Sequence, residues 1–191
     1  DEQRGKIAQE AGRQMLDSAS ERALAGGVPH VEQNMHYGEL VDALLALEAD
    51  ARLFVLGENH PASAPRKLYL SHHLERVVRA VKRPVFVTTA APFAPPERFV
   101  LAYDGSDTAR KTVDMVARSP LLSGLPALIA MVAPDTPAAH AALGQAQHTL
   151  RAAGFAAETT LLPGEPEQAL PDLLKTQQRA LLVMGAYGHS R

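Results

Sequence analysis

Short, almost continuously apolar runs alternate with helix-spaced segments along this chain, and that alternation leaves few folds open. Phe99-Val100-Leu101-Ala102-Tyr103, Ala127 to Val132 and Ala180 to Met184 show no polar residue on every second position. Strands of that kind are buried on both faces, as in a parallel sheet whose crossover helices cover it. Helical spacing predicts helices from the Asp104-Gly105-Ser106-Asp107 turn through Arg118, over 137–153 and over 165–177, with a further strand at Ala156 to Leu162. The fold class is therefore α/β, with a doubly wound parallel sheet.

The same grammar is legible earlier. A helix is predicted over 3–25, stopped by Gly26-Gly27, then a short strand from Val28 to Met35, a helix at 39–49 and a strand at 52–56. A helix over 65–82 and the strand Pro84-Val85-Phe86-Val87 follow. Pro92, Pro95 and Pro96 then mark a linker. Two landmarks recur at nearly one offset. Gly38-Glu39 and Gly164-Glu165 each precede an apolar helix 126 residues apart, and the strand-end glycines Gly57 and Gly185 are 128 apart. A shift of that size is a duplicated domain, not a solenoid repeat. The expected organisation is a first repeat at 1–90, a linker at 91–97 and a second repeat at 98–191.

Composition excludes several classes. With a formal net charge of −2 and scattered Lys and Arg, the chain has no footprint for nucleic acid. Its densest basic cluster, Arg76 to Arg83, reads as a helix end whose cations complement the dipole. With no cysteine, disulfides, thiolate metal sites and a Cys nucleophile are ruled out, which is compatible with a cytoplasmic location. No run reaches the ~20 apolar residues of a membrane span. No His-x-x-x-His spacing and no carboxylate-paired histidine stands out, and His72-His73 point about 100° apart on a helix, so no metal site is expected.

The strongest functional signal is the last strand running into Gly185-Ala186-Tyr187-Gly188-His189-Ser190-Arg191. A Gly-x-x-Gly turn at a strand end can take positive φ and offer bare backbone N–H groups to a phosphate. The bland reading is a tight turn alone. Ser106 and Asp107, and to a lesser degree Asp104, read equally as caps of the helix that follows them. His189 reads more readily as a surface polar residue than as a base.

Phe99-Val100-Leu101-Ala102-Tyr103-Asp104-Gly105-Ser106, Ala117-Arg118-Ser119-Pro120-Leu121-Leu122 and Leu182-Val183-Met184-Gly185-Ala186-Tyr187-Gly188-His189-Ser190-Arg191 together resemble the universal stress proteins in tandem form. Leu74 to Ala80 followed by Arg83-Pro84-Val85 resembles that family's last helix and last strand. The resemblance implies five-stranded parallel sheets, each incomplete in this chain. The first would lack its opening two strands and first helix, and the second its last helix and strand. The native protein is then expected to be about 280 residues, two domains of ordinary size.

By the same resemblance, the second repeat would bind ATP, possibly with Mg²⁺, or a related nucleotide. The matching positions are Asp104 at the end of the first strand, Ser106, backbone near Val132 beside the adenine, and Gly185, Gly188 and His189. The family's distal Gly-Ser/Thr falls past Arg191. In the first repeat His60 replaces the second glycine, and Leu70-Ser71 stand at the distal pair, so no nucleotide is expected there. No catalytic residue is assigned, and at most weak ATP hydrolysis is expected. The implied protein is a cytoplasmic stress-response protein, a homodimer or a chain whose two domains pair. The alternative is a nucleotide-independent dimeric interaction scaffold in stress signalling. An adenylating enzyme would need a phosphate clamp, for which only Arg191 is near enough.

Overall fold

The structure is a computed structural model that describes residues 2–58, 72–89 and 93–186. The chain divides into two compact units, 1–51 and 52–191. The first unit holds helix α1 (Glu2–Ala25) and helix α2 (Leu40–Leu47). Where the sequence predicts a strand at Val28 to Met35, the backbone is irregular. A strand exists only through a ladder, and no described strand pairs with 28–35.

The second unit begins with a parallel pair, β1 (Phe54–Glu58) and β2 (Val85–Thr89), joined through helix α3 (His72–Ala80). Arg79, in the last turn of α3, reaches back 2.9 Å to Glu75. It thus meets both the dipole and an i,i+4 partner, as the basic cluster suggested.

The remainder alternates as expected. Strand β3 (Arg98–Ala102) leads to helix α4 (Asp107–Ala117), a single 3-10 turn at Pro120–Leu122 and strand β4 (Ala127–Val132). Helix α5 (Pro137–Ala152), strand β5 (Ala157–Leu162), helix α6 (Pro166–Thr176) and strand β6 (Ala180–Met184) complete it. All pairings are parallel, and the sheet order is β5-β4-β3-β6. The α/β class read from the sequence is the class observed.

One face of this sheet carries the core. Phe99, Leu101 and Tyr103 of β3 and its extension, with Ala127, Ile129 and Met131 of β4, pack against Ala109, Val113 and Val116 of α4 and Ala139, Leu143, Ala146 and Leu150 of α5. These strand residues are alternate, as a pleat requires. Val100 and Ala130 point the other way and are also buried, so both faces are covered and neither strand alternates in polarity. Phe99 stacks edge-on with Phe155, centroids 5.7 Å apart at 88°.

Three ties hold β6 beside β3 at their amino ends. Glu97 N–H donates to the Arg179 carbonyl at 2.9 Å, and Arg98 Nη1 to Gln177 Oε1 at 2.6 Å. Arg179 also pairs with Glu97 and sits at φ 50°. At the start of β5, Gln147 Nε2 and Arg151 Nε both donate to the Ala157 carbonyl, at 2.9 and 3.0 Å. No described helix is long and apolar enough to cross a membrane.

Candidate functional site

The strand order contains a reversal. From β3 the chain steps outward to β4 and then β5, and returns to the opposite side of β3 as β6. The carboxyl ends of β3 and β6, where the strand order reverses, are where open α/β sheets take ligands. Asp104 leaves β3 there and Gly185 leaves β6. The ladder pairs Ala102 with both Ala130 of β4 and Met184 of β6. Asp104 and Val132 each come two residues after a member of that trio, and Gly185 one residue after, so all three lie along one edge. Ser106 belongs to the same edge at the mouth of α4. Gly188 and His189 lie outside the described residues, as do His60, Leu70 and Ser71.

The loop from Asp104 to Asp107 is closed by its own polar groups. Ser106 N–H donates to Asp104 Oδ1 at 2.9 Å, an Asx turn that the left-handed Gly105 (φ 76°) makes possible. Ser106 Oγ accepts from Ala109 N–H at 3.1 Å and so caps α4, with Asp107 in the first turn adding a charge that favours the dipole. Asp104 itself is exposed at the edge. A carboxylate has about four acceptor positions. It can hold its turn while presenting further lone pairs to hydroxyls, an amine or a hydrated cation.

The cap carries a prediction. Ser106→Ala should cost about 1 kcal/mol, a fall of roughly 2–4 °C in Tm for a domain of this size. Scanning calorimetry reads it directly, and an unchanged Tm would mean the hydroxyl does no capping in solution.

Gly185 departs from the sequence reading. It is not among the left-handed glycines. What it requires is space: a Cβ there would stand 3.0 Å from Thr108 Cγ2 and 3.3 Å from Thr112 Oγ1. The end of β6 presses on the first two turns of α4, and glycine is what permits the approach. The Gly-Glu landmarks behave alike in both copies. Gly38 and Gly164 are left-handed (φ 119° and 94°), and Glu39 and Glu165 occupy the N-cap position of the next helix without a side-chain cap bond. A carboxylate at that position favours the helix dipole.

Three features were not read from the sequence. Arg110 donates to the Gly105 carbonyl and to Asp107 Oδ1, and the Asp107 hydrogen bond holds its guanidinium pKa above the ordinary value. Thr108 and Thr112 meet Gly185, a contact between elements far apart in the chain. Contrary to the expectation of no carboxylate-paired histidine, His140 Nε2 lies 2.7 Å from Asp135 Oδ1 in the loop after β4, and exposed His30 pairs with Glu32 at 3.2 Å. The Asp135–His140 separation spans the α5 cap at Thr136 rather than one helical period, so no i,i+4 signal announces it. Among the described residues no three ligating side chains cluster as a metal site. A cavity of about 230 Å³ lies at the opposite, amino end of the sheet, lined by Arg98, Ala127, Arg151 and Glu158, and so contributes nothing to this edge.

No profile of a known protein family matches the chain. A universal stress protein of Synechocystis is 32% identical over 190 residues, which is 98% of this chain and 66% of that relative's length. The chain thus spans just under two thirds of the curated relative it matches. A universal stress protein from Archaeoglobus fulgidus aligns with 97% of this chain and 68% of its own at a TM-score of 0.74 and 19% identity, a likeness of fold. A universal stress protein solved in complex with cAMP aligns with 51% of this chain and 78% of its own at 29% identity and a TM-score of 0.45, too low to carry its ligand across.

Proposed function

This chain belongs to the universal stress protein family, and on that footing we propose that it binds ATP or a related nucleotide at the carboxyl edge of the four-stranded sheet. The observation that supports the reading is the strand reversal at β3 and β6, with Asp104 on one lip and Gly185 on the other. In this reading Asp104 accepts from ribose or adenine donors, alone or through a Mg²⁺ shared with the phosphates. The backbone near Val132 lines the base, and the turn from Gly185 through Gly188 and His189 takes the phosphates. The N-terminus of α4 is already capped by Ser106, which leaves the phosphates to the turn after β6.

The proposed organisation is tandem. Repeats at 1–90 and 98–191, joined at 91–97, pair within the chain or between two copies, and the first binds no nucleotide. The matched left-handed glycines at 38 and 164, each followed by a Glu N-cap, support the duplication. Nucleotide would act in the cytoplasm by altering partner contacts, with hydrolysis slow at most. A second reading, a nucleotide-independent scaffold, draws on the same edge: Ser106 Oγ is engaged as a cap, and Gly185 answers to packing on α4.

Calorimetric titration of Mg-ATP into the chain decides between them, with cAMP titrated in parallel and an Asp104→Ala, Gly188→Val variant as control. The expected result is one site per chain. Asp104→Ala alone should weaken it tenfold or more, since a hydrogen bond to a charged group contributes about 1.5–3 kcal/mol. Absence of heat from either nucleotide would leave the scaffold.

A further inference from the structure

The peptide unit between Gly105 and Ser106 is held at both ends. Its N–H, carried by Ser106, donates to Asp104 Oδ1 at 2.9 Å. Its C=O, carried by Gly105, accepts from Arg110 Nη1. A peptide unit is one rigid plane. A group that grips the carbonyl therefore sets the direction of the N–H, and with it the carboxylate that the N–H holds. We propose that Arg110 is a positioning residue of this edge, fixing Asp104 through the Gly105–Ser106 plane.

The need for such a grip follows from the residue at the turn. Gly105 stands at φ 76°, and glycine is the residue with the widest choice of backbone conformations, so the turn is not fixed by local sterics. Arginine suits the task because its planar fork meets two acceptors at fixed spacing, which a lysine ammonium does not. Here the second acceptor is Asp107 Oδ1, reached by Nη2. That pair is exposed, with the two side chains 51% and 85% accessible, so as an ion pair it is worth little. Its role is to aim the guanidinium, and the carbonyl bond is the consequential one. Arg110 also lies beside Tyr103, the buried residue where β3 ends, which anchors this stretch to the core. The effect on ligand rests on the nucleotide reading above, whereas the effect on the loop does not.

Amide exchange by NMR on the full chain without nucleotide tests the loop. In Arg110→Gln the Ser106 amide should exchange about tenfold faster while the Ile129 amide in β4 is unmoved, the signature of a local opening. Asp107→Asn removes the charge but keeps an amide oxygen that accepts from Nη2 and so still aims the guanidinium. It should leave Ser106 near its wild-type rate. Unchanged Ser106 exchange in Arg110→Gln, or equal acceleration in Asp107→Asn, would overturn the proposal. Mg-ATP titration of Arg110→Gln then reads the consequence for Asp104, and an affinity about tenfold weaker at unchanged stoichiometry is expected. Faster exchange with unchanged affinity overturns the link to Asp104. If wild type binds no nucleotide, the nucleotide reading fails by itself, and the exchange rates still decide whether Arg110 sets the turn.

Discussion

Phe99→Ala should destabilise the second unit by about 3–5 kcal/mol, the range for truncating a buried aromatic. Phe99 is 0% accessible and lies on β3, which has β4 on one side and β6 on the other. The cavity would open where the sheet, α4, α5 and Phe155 converge, a place with little freedom to collapse. Native domains hold only about 5–15 kcal/mol in total, so a large share of the stability would go. At roughly 2–4 °C per kcal/mol the Tm should fall by about 6–20 °C. Urea melts of Phe99→Ala, Phe155→Ala and the double variant also give the coupling of the edge-on pair, expected at about 0.5–1.5 kcal/mol. A loss under about 1 kcal/mol for Phe99→Ala would show that β3 is not the centre of the core.

Gly185→Val is the second large effect, expected at about 1–3 kcal/mol as an overpacking cost. The added Cβ meets Thr108 Cγ2 at 3.0 Å before the rest of the side chain is placed. Thr108→Ser removes that methyl, and in the Gly185→Ala background it should recover part of the loss. This pair of variants separates two reasons for a glycine. A glycine kept for packing costs stability when replaced and is rescued from α4. A glycine kept only for ligand approach leaves the melt unchanged and weakens nucleotide binding instead. The geometry favours the first at position 185.

The contrast between these residues shows how far local pattern reaches. The strands Ala127–Val132 and Ala180–Met184 have the observed bounds that their apolar runs predict, because each run is bracketed by residues that end strands locally. The cap at Ser106 was also legible, since it stands just before helical spacing begins and accepts an N–H three residues on. Val28 to Met35 failed for the opposite reason. Strand formation depends on a partner elsewhere, and none of the described residues provides one. Asp104 was visible as a strand-end carboxylate, whereas the carbonyl grip of Arg110 on Gly105 was not. That bond depends on the sign of one φ angle, and a residue's identity permits such a value without imposing it.

The sequence by itself determined the alternation of strand and helix, the parallel class of the sheet and the repeated Gly-Glu landmarks. Each of these is written in the spacing of near neighbours. Only the tertiary structure decided that β6 lies against β3, that Gly185 is pressed onto Thr108 and Thr112, and that Asp104 and Gly185 share one edge. Those outcomes join segments about eighty residues apart, Ala102 and Met184 among them. Pairing at that separation is set by which buried faces fit together once the chain is compact. No local period encodes it.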